Sequence, residues 1–224
     1  MVWIPPGKFM MGSPASEPNR DDIETQHEVT LTKGFWLAKH ELTQKQYVAL
    51  MGKNPSKFKG ENLPVELVSW KDAVAFCLKL GESTHTKGKV PFGYQYKLPM
   101  EAQWEYACRA GTTTAFHFGA SLQKRQANFN KHVNKTQPVG SYPANEWGLH
   151  DVHGNVWEWC SDWLGAYSAA SVTDPAGPAT GVDRVIRGGS WVGNAGGCRS
   201  AFRFRDDPDD RAYGLGFRLC LRAE

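Results

Sequence analysis

Apolar and polar residues alternate over the first forty positions, switch to a helical spacing between Thr43 and Gly111, and then break into short runs. Residues 2–12 read as a hairpin, with β-type residues between Gly7 and Gly12. A polar loop, 13–27, leads to strands at Val29–Leu31 and Phe35–Ala38. Thr43 and Gln46 have the spacing of a capping box, and Gly52 stops the helix they open, with Leu42, Tyr47, Leu50 and Met51 as its apolar face. Ser69 and Asp72 open a second helix in the same manner. Ala73, Val74, Phe76, Cys77 and Leu80 form its stripe, and it fades near Gly81. A third helix follows Pro99, from Glu101 to Ala110, with Gly111 as its stop and Trp104 and Ala107 or Cys108 facing inward. Beyond Gly111 the chain predicts short strands and long turns, so the fold class is α+β, irregular, with few helices and short antiparallel strands. No linker or repeat divides the chain, and 1–224 reads as a single domain.

Composition narrows the function classes. A net charge of +3, with Lys and Arg scattered rather than striped, argues against a nucleic-acid partner. No apolar run reaches the length of a membrane span. Val2 to Gly7 already has the form of a first strand and turn. The chain therefore reads as opening at a domain boundary, and an export or lipid-anchor segment ahead of it would put the domain at the cell surface. The cellular compartment is not legible. Five widely spaced cysteines without a CxxC give little support to a zinc site or a disulfide scaffold. Cys77 and Cys108 fall in helical patterns as buried thiols, and one disulfide among Cys160, Cys198 and Cys220 stays open.

The most unusual stretch runs from Arg187 to Arg218. It contains no Lys, Glu, Gln or Met, and no Trp after Trp191, where roughly five such residues are expected between Val192 and Phe217. It keeps Arg, Asp, Asn, Phe, Tyr, Gly and Ser, several of which recur on recognition surfaces.

Six segments carry a family resemblance: 2–12 (VWIPPGKFMMG), 35–47 (FWLAKHELTQKQY), 63–74 (LPVELVSWKDAV), 97–109 (KLPMEAQWEYACR), 148–163 (GLHDVHGNVWEWCSDW) and 187–218. In this order they resemble the sulfatase-modifying family, which contains the formylglycine-generating enzymes and has a C-type-lectin-like fold. Lys97 stands where that family usually has arginine, and Met100 where it usually has a helix-capping threonine.

The family's enzymes hold copper(I) between two cysteine thiolates, ligands suited to that soft ion. Counted forward from Gly188-Gly189-Ser190, the two places fall on Gly193 and Cys198. Counted back from Arg199 and Pro208, the loop is a few residues shorter and Cys198 lies just outside the site. Either count leaves one thiolate missing, so the resemblance implies neither copper nor formylglycine synthesis. Cys198 then reads as a half-buried structural thiol. The resemblance does imply a structural calcium, held by the Asp151 and Glu158 side chains with the Gly154 and Val156 carbonyls, an oxygen-only set. The residues alone leave a capped turn with a buried Glu158, bonded to backbone amides, equally open. His150 and His153 lie in a turn, as surface or turn residues rather than ligands. Glu17-Pro18-Asn19 matches a lectin sugar-binding tripeptide but lies far in sequence from where such lectins bind sugar, and it is discarded.

The C-terminal stretch most resembles the variable proteins diversified by retroelements, whose fixed anchors are matched here by Gly188-Gly189-Ser190-Trp191, Cys198-Arg199-Ser200-Ala201, Arg203, Pro208, Arg211 and Gly216-Phe217-Arg218-Leu219. That resemblance implies replacement of adenines in Asn codons, which yields Phe, Tyr, Arg, Asp, Gly, Ala, Val and Ser but never Lys, Glu, Gln, Met or Trp. The positions expected to vary are Val192, Gly193, Asn194, Gly197, Phe202, Phe204, Arg205, Asp206, Asp207, Asp210, Ala212, Tyr213 and Gly214, and all hold reachable residues. Arg187, Arg199, Arg203 and Arg218 are expected to form buried or half-buried carboxylate pairs, with partners such as Asp162 or Glu158. The function implied is a non-catalytic receptor whose C-terminal surface takes a protein or other macromolecular ligand. The alternative is an oxygen-dependent oxidase of the formylglycine-generating type.

Overall fold

The computed structural model describes residues 1–85 and 90–223. Among them the strands are, in chain order, β1 (Val2–Ile4), β2 (Gly7–Met11), β3 (His27–Leu31), β4 (Phe35–Leu37), β5 (Tyr94–Lys97) and β6 (Trp157–Trp163). There follow β7 (Val172–Thr173), β8 (Arg184–Arg187), β9 (Phe204–Asp206), β10 (Leu215–Gly216) and β11 (Cys220–Ala223). The helices are α1 (Gln44–Met51), α2 (Trp70–His85) and α3 (Glu101–Arg109).

The first departure from expectation is at residues 2–12, which do not form a hairpin. Pro5 and Pro6 lack the amide hydrogens a ladder needs, and the two strands they separate join different sheets. One sheet has the order β1-β4-β11-β5, so that the chain's ends lie on either side of β4. A second has the order β2-β3-β7 and a third β10-β6-β8-β9. Not every pairing is antiparallel as expected: β7 runs parallel to β3, and β10 parallel to β6.

The helices follow their signals closely. In α1 Thr43 accepts from the Gln46 amide, the Gln46 side chain accepts from the Thr43 amide, and Gly52 closes the helix at φ 77°. The second helix passes through Gly81 to His85 rather than fading there. A mid-helix glycine costs only about 1 kcal/mol, and the Ser83 and Thr84 hydroxyls donate back to the Leu80 carbonyl.

Helix α3 is buried along its whole length, and Met100 offers it no capping oxygen. Two other groups take over. The Gln103 side chain accepts from the Met100 amide at 3.0 Å, and Asp162, reaching from β6, accepts from the Glu101 amide at 2.9 Å. Trp104 and Ala107 join the core that links β1–β4 to β6 and β8, while Trp159, Phe217 and Leu215 pack with α1 and α2. All five cysteines are buried free thiols, and no helix among the described residues is long and apolar enough to cross a membrane.

Candidate ligand-binding surface

The anchors of the 187–218 stretch form a buried frame of arginine–glutamate pairs. Arg187 donates to Glu105 at 2.5 Å and Glu101 at 3.1 Å, and also to the Ser200 and Ala201 carbonyls, fixing the loop's return. Arg203 grips Glu101 through two bonds of 2.7 and 2.8 Å. Arg199 does the same to Glu24 at 2.6 and 2.8 Å and adds Glu17 at 2.6 Å. Arg218 binds both oxygens of Glu158, at 2.5 and 2.6 Å. The four arginines are at most 2% exposed. Such bidentate geometry is what lets opposed charges stand in a low-dielectric interior.

One expectation is corrected here. Asp162 pairs with none of the four arginines, because its oxygen is taken up as the cap of α3. The carboxyl of Asp162, buried and close to Glu101, is pushed up to about 7. The polar loop 13–27 reaches the same frame, since its Glu17 and Glu24 are buried counterions of Arg199, and the Asn19 carbonyl accepts from the same guanidinium. The tripeptide discarded as a sugar site thus serves as a clamp on an anchor.

Glycine conformation matters most at Gly189. Its φ is 77°, and a β-carbon there would stand 2.5 Å from Cys198 Sγ and 2.9 Å from the Gly197 carbonyl. Only glycine lets the loop close so tightly. The ring of Trp191, next but one in the chain, is buried and donates to the Tyr213 carbonyl at 3.1 Å, linking the two ends of the stretch.

The positions expected to vary are, with one exception, nearer solvent than this frame. Asn194, Phe204, Arg205, Asp207, Asp210 and Tyr213 are exposed. Val192, Gly193, Gly197, Phe202, Asp206 and Ala212 are half-buried. Gly214 alone of the thirteen is buried: its carbonyl accepts from the Trp157 amide, and an added β-carbon would crowd Ser190 at 3.2 Å. It therefore shapes the surface rather than contacting anything outside. By contrast the anchors Ser190, Trp191, Cys198, Arg199, Ser200, Ala201, Arg203, Phe217 and Arg218 are all buried. Pro208 and Arg211 are the anchors nearest solvent. The Pro208 carbonyl meets Lys71, and Arg211 pairs with Asp72 at 2.8 Å, docking the segment on the start of α2.

Sequence reasoning missed the centre of this surface. Trp157, the first residue of β6, stacks against Phe204 at 5.7 Å and lies 6.0 Å from the Phe202 ring. On the other flank Phe58 meets Trp191 edge-on, and the Lys57 ammonium sits 4.7 Å from the Tyr213 ring centre. The missed signal is positional: Trp157 stands at the open end of its strand, whereas Trp159 lies deep inside and bonds to the Val68 carbonyl.

Part of the set that would hold calcium is already engaged. Both Glu158 oxygens are committed to Arg218, and one also accepts from Trp104 at 2.7 Å. Glu158 is buried as the residue reading held, but its partners are side chains rather than backbone amides. Asp151 gives one oxygen to the Gly140 amide at 2.6 Å and keeps the other buried without a partner. The Gly154 amide donates to Gly188, and Val156 donates to Glu41. One orphaned oxygen suits a cation, but a guanidinium on Glu158 does not. Among the described residues no three His, Cys, Asp or Glu side chains converge on a metal position. With Arg218 on both its oxygens, Glu158 does not fit the role of a calcium ligand.

Burial raises the Cys198 thiol to about 12, and Gly193 carries no sulfur. His153 is in a turn but not at the surface. It is buried between the His117 amide and the Cys198 carbonyl, and desolvation lowers it to about 3.

Residues 1–223 match the model of the sulfatase-modifying factor enzyme 1-like domain. The chain is 34% identical to the serine/threonine-protein kinase pkn1 of Chlamydia caviae over 97% of its own length and 37% of that protein's. It is 36% identical to the formylglycine-generating enzyme of Mus musculus over 75% of its length and 46% of that protein's. It thus spans less than half of each of these two relatives. In three dimensions it is similar to Treponema denticola variable protein 1, with a TM-score of 0.86 and 29% identity over 98% of this chain and 94% of the other. The chain therefore belongs to the sulfatase-modifying factor enzyme family, with a C-type-lectin-like α+β fold resembling that of its variable proteins.

Proposed function

We propose that this chain is a non-catalytic binding protein whose 187–218 stretch presents a diversified surface to a macromolecular ligand, most simply a protein. One observation carries the reading. Six of the thirteen positions expected to vary are exposed and six half-buried, whereas the anchors between them, Pro208 and Arg211 apart, are held in buried ion pairs or packed in the core. A surface so divided tolerates change without loss of fold, as antibody loops do on their sandwich. Its affinity would come from aromatic and arginine side chains such as Phe204, Tyr213 and Arg205.

The source genome supplies a direct test. A second copy of the 3′ coding segment, differing only at adenines and lying beside a reverse transcriptase, is the expected finding. Its absence would reject diversification.

The identity with a formylglycine-generating enzyme favours a second reading, an oxygen-dependent oxidase. Two features oppose it: the buried, high-pKa thiol of Cys198 and a glycine at the partner position. Incubation with copper(I) and a cysteine-containing sulfatase peptide should leave the peptide unchanged, and formylglycine formation would establish the oxidase.

A further inference from the structure

The binding surface has a charge pattern that points to the chemistry of its partner. Phe204, 49% exposed, walls a cleft of about 310 Å³ whose other sides are Asp183, Arg205, Asp206, Asp207 and Asp210. The nearby cations are already engaged. Arg205 pairs with Asp183 at 3.0 Å, Lys71 with Asp209 at 2.7 Å and Arg211 with Asp72. Asp206, Asp207 and Asp210 have no ion pair among the described residues. Partial burial and the adjacent Asp210 push the Asp206 carboxyl up to about 6, a sign that the two carboxylates crowd each other. Crowding of this kind is relieved by a cation placed between them.

The aromatic wall adds a second requirement. Phe204 lies over Trp157, which is outside the diversified stretch and so offers the same platform whatever occupies positions 202 and 204. An apolar stem can lie along this wall with a cationic head among the carboxylates, gaining both cation–π and charge-assisted contacts.

We infer that the cleft seats an arginine or lysine side chain from a basic surface of a protein partner, with Phe204 along its stem and Asp206 and Asp210 at its head. This deepens the binding reading and rests on it. Arginine fits better than lysine, because a planar fork can engage both carboxylates at once.

The test is to pan a random linear peptide library on the full immobilised chain, and then to measure the enriched peptides against Phe204→Ala and an Asp206→Asn/Asp210→Asn double variant. The Asn changes relieve repulsion, so thermal unfolding of the double variant should match or exceed the parent. The expected peptides share an Arg or Lys beside an apolar residue, bind more weakly as salt rises, and lose about ten-fold or more in affinity on the double variant. Enriched peptides that need Phe204 but carry no basic residue would overturn the basic-partner inference and leave the binding surface standing. Peptides indifferent to both variants, or no enrichment at all, would overturn both.

Discussion

The anchors of the C-terminal stretch are defined by single side chains, and their loss should be costly. Glu158 is the clearest case, since it neutralises Arg218 and receives Trp104 in a site closed to water. Glu158→Gln leaves a guanidinium buried without its charge partner, and urea unfolding should show a loss of about 3–5 kcal/mol. The same measurement with and without added calcium should give the same midpoint, because Arg218 already occupies the carboxylate; a clear calcium-dependent rise would restore the cage. Asp162 gives a pH signature. Its folded value, about 7, lies above the 3.8 of a free aspartate. The stability it contributes is therefore fully present below about 4 and is lost as pH rises through 7. Asp162→Asn keeps the oxygen that caps α3 and removes the titration. Wild type should lose stability between about pH 4 and 7 relative to this variant, and parallel pH profiles would show that the carboxyl is not buried as described.

At the level of elements, helices were legible because their signals are local: the Thr43–Gln46 box, the apolar stripe of α2, and the turn at Gly111. The sheets were less so. Pairing of β1 with β4 and of β2 with β3 depends on contacts that no local pattern encodes, so an apparent hairpin became edges of two sheets. The replacement cap of α3 is of the same kind, because Asp162 lies 61 residues beyond the amide it serves. The candidate surface was legible for a different reason: diversification, if it acts as proposed, leaves a trace in residue choice that does not depend on three-dimensional knowledge. Trp157 lies outside the 187–218 stretch, and only its stacking on Phe204 places it beside the candidate surface. The closing turn is the element most exposed to a small change. Gly189→Ala forces a side chain onto Cys198 at a positive φ, and should cost more than about 1 kcal/mol by urea unfolding. An unchanged midpoint would mean that the loop can relax around the methyl group.

Across the whole molecule, the proposed function divides structure and recognition between two sets of residues interleaved in one short stretch. The buried arginines tie that stretch to α3, β6 and the 13–27 loop, and Phe204, Arg205, Asp207, Asp210 and Tyr213 between them are exposed. The most direct test replaces Phe204, Arg205, Asp207, Asp210 and Tyr213 by alanine together and measures the free energy of urea unfolding. Surface changes typically stay within about 0.5 kcal/mol each, so the five together should shift stability by less than about 2.5 kcal/mol, with no change in fold. A loss equal to that of a broken anchor pair, about 3–5 kcal/mol, would mean that these residues hold the fold together and are not free to vary.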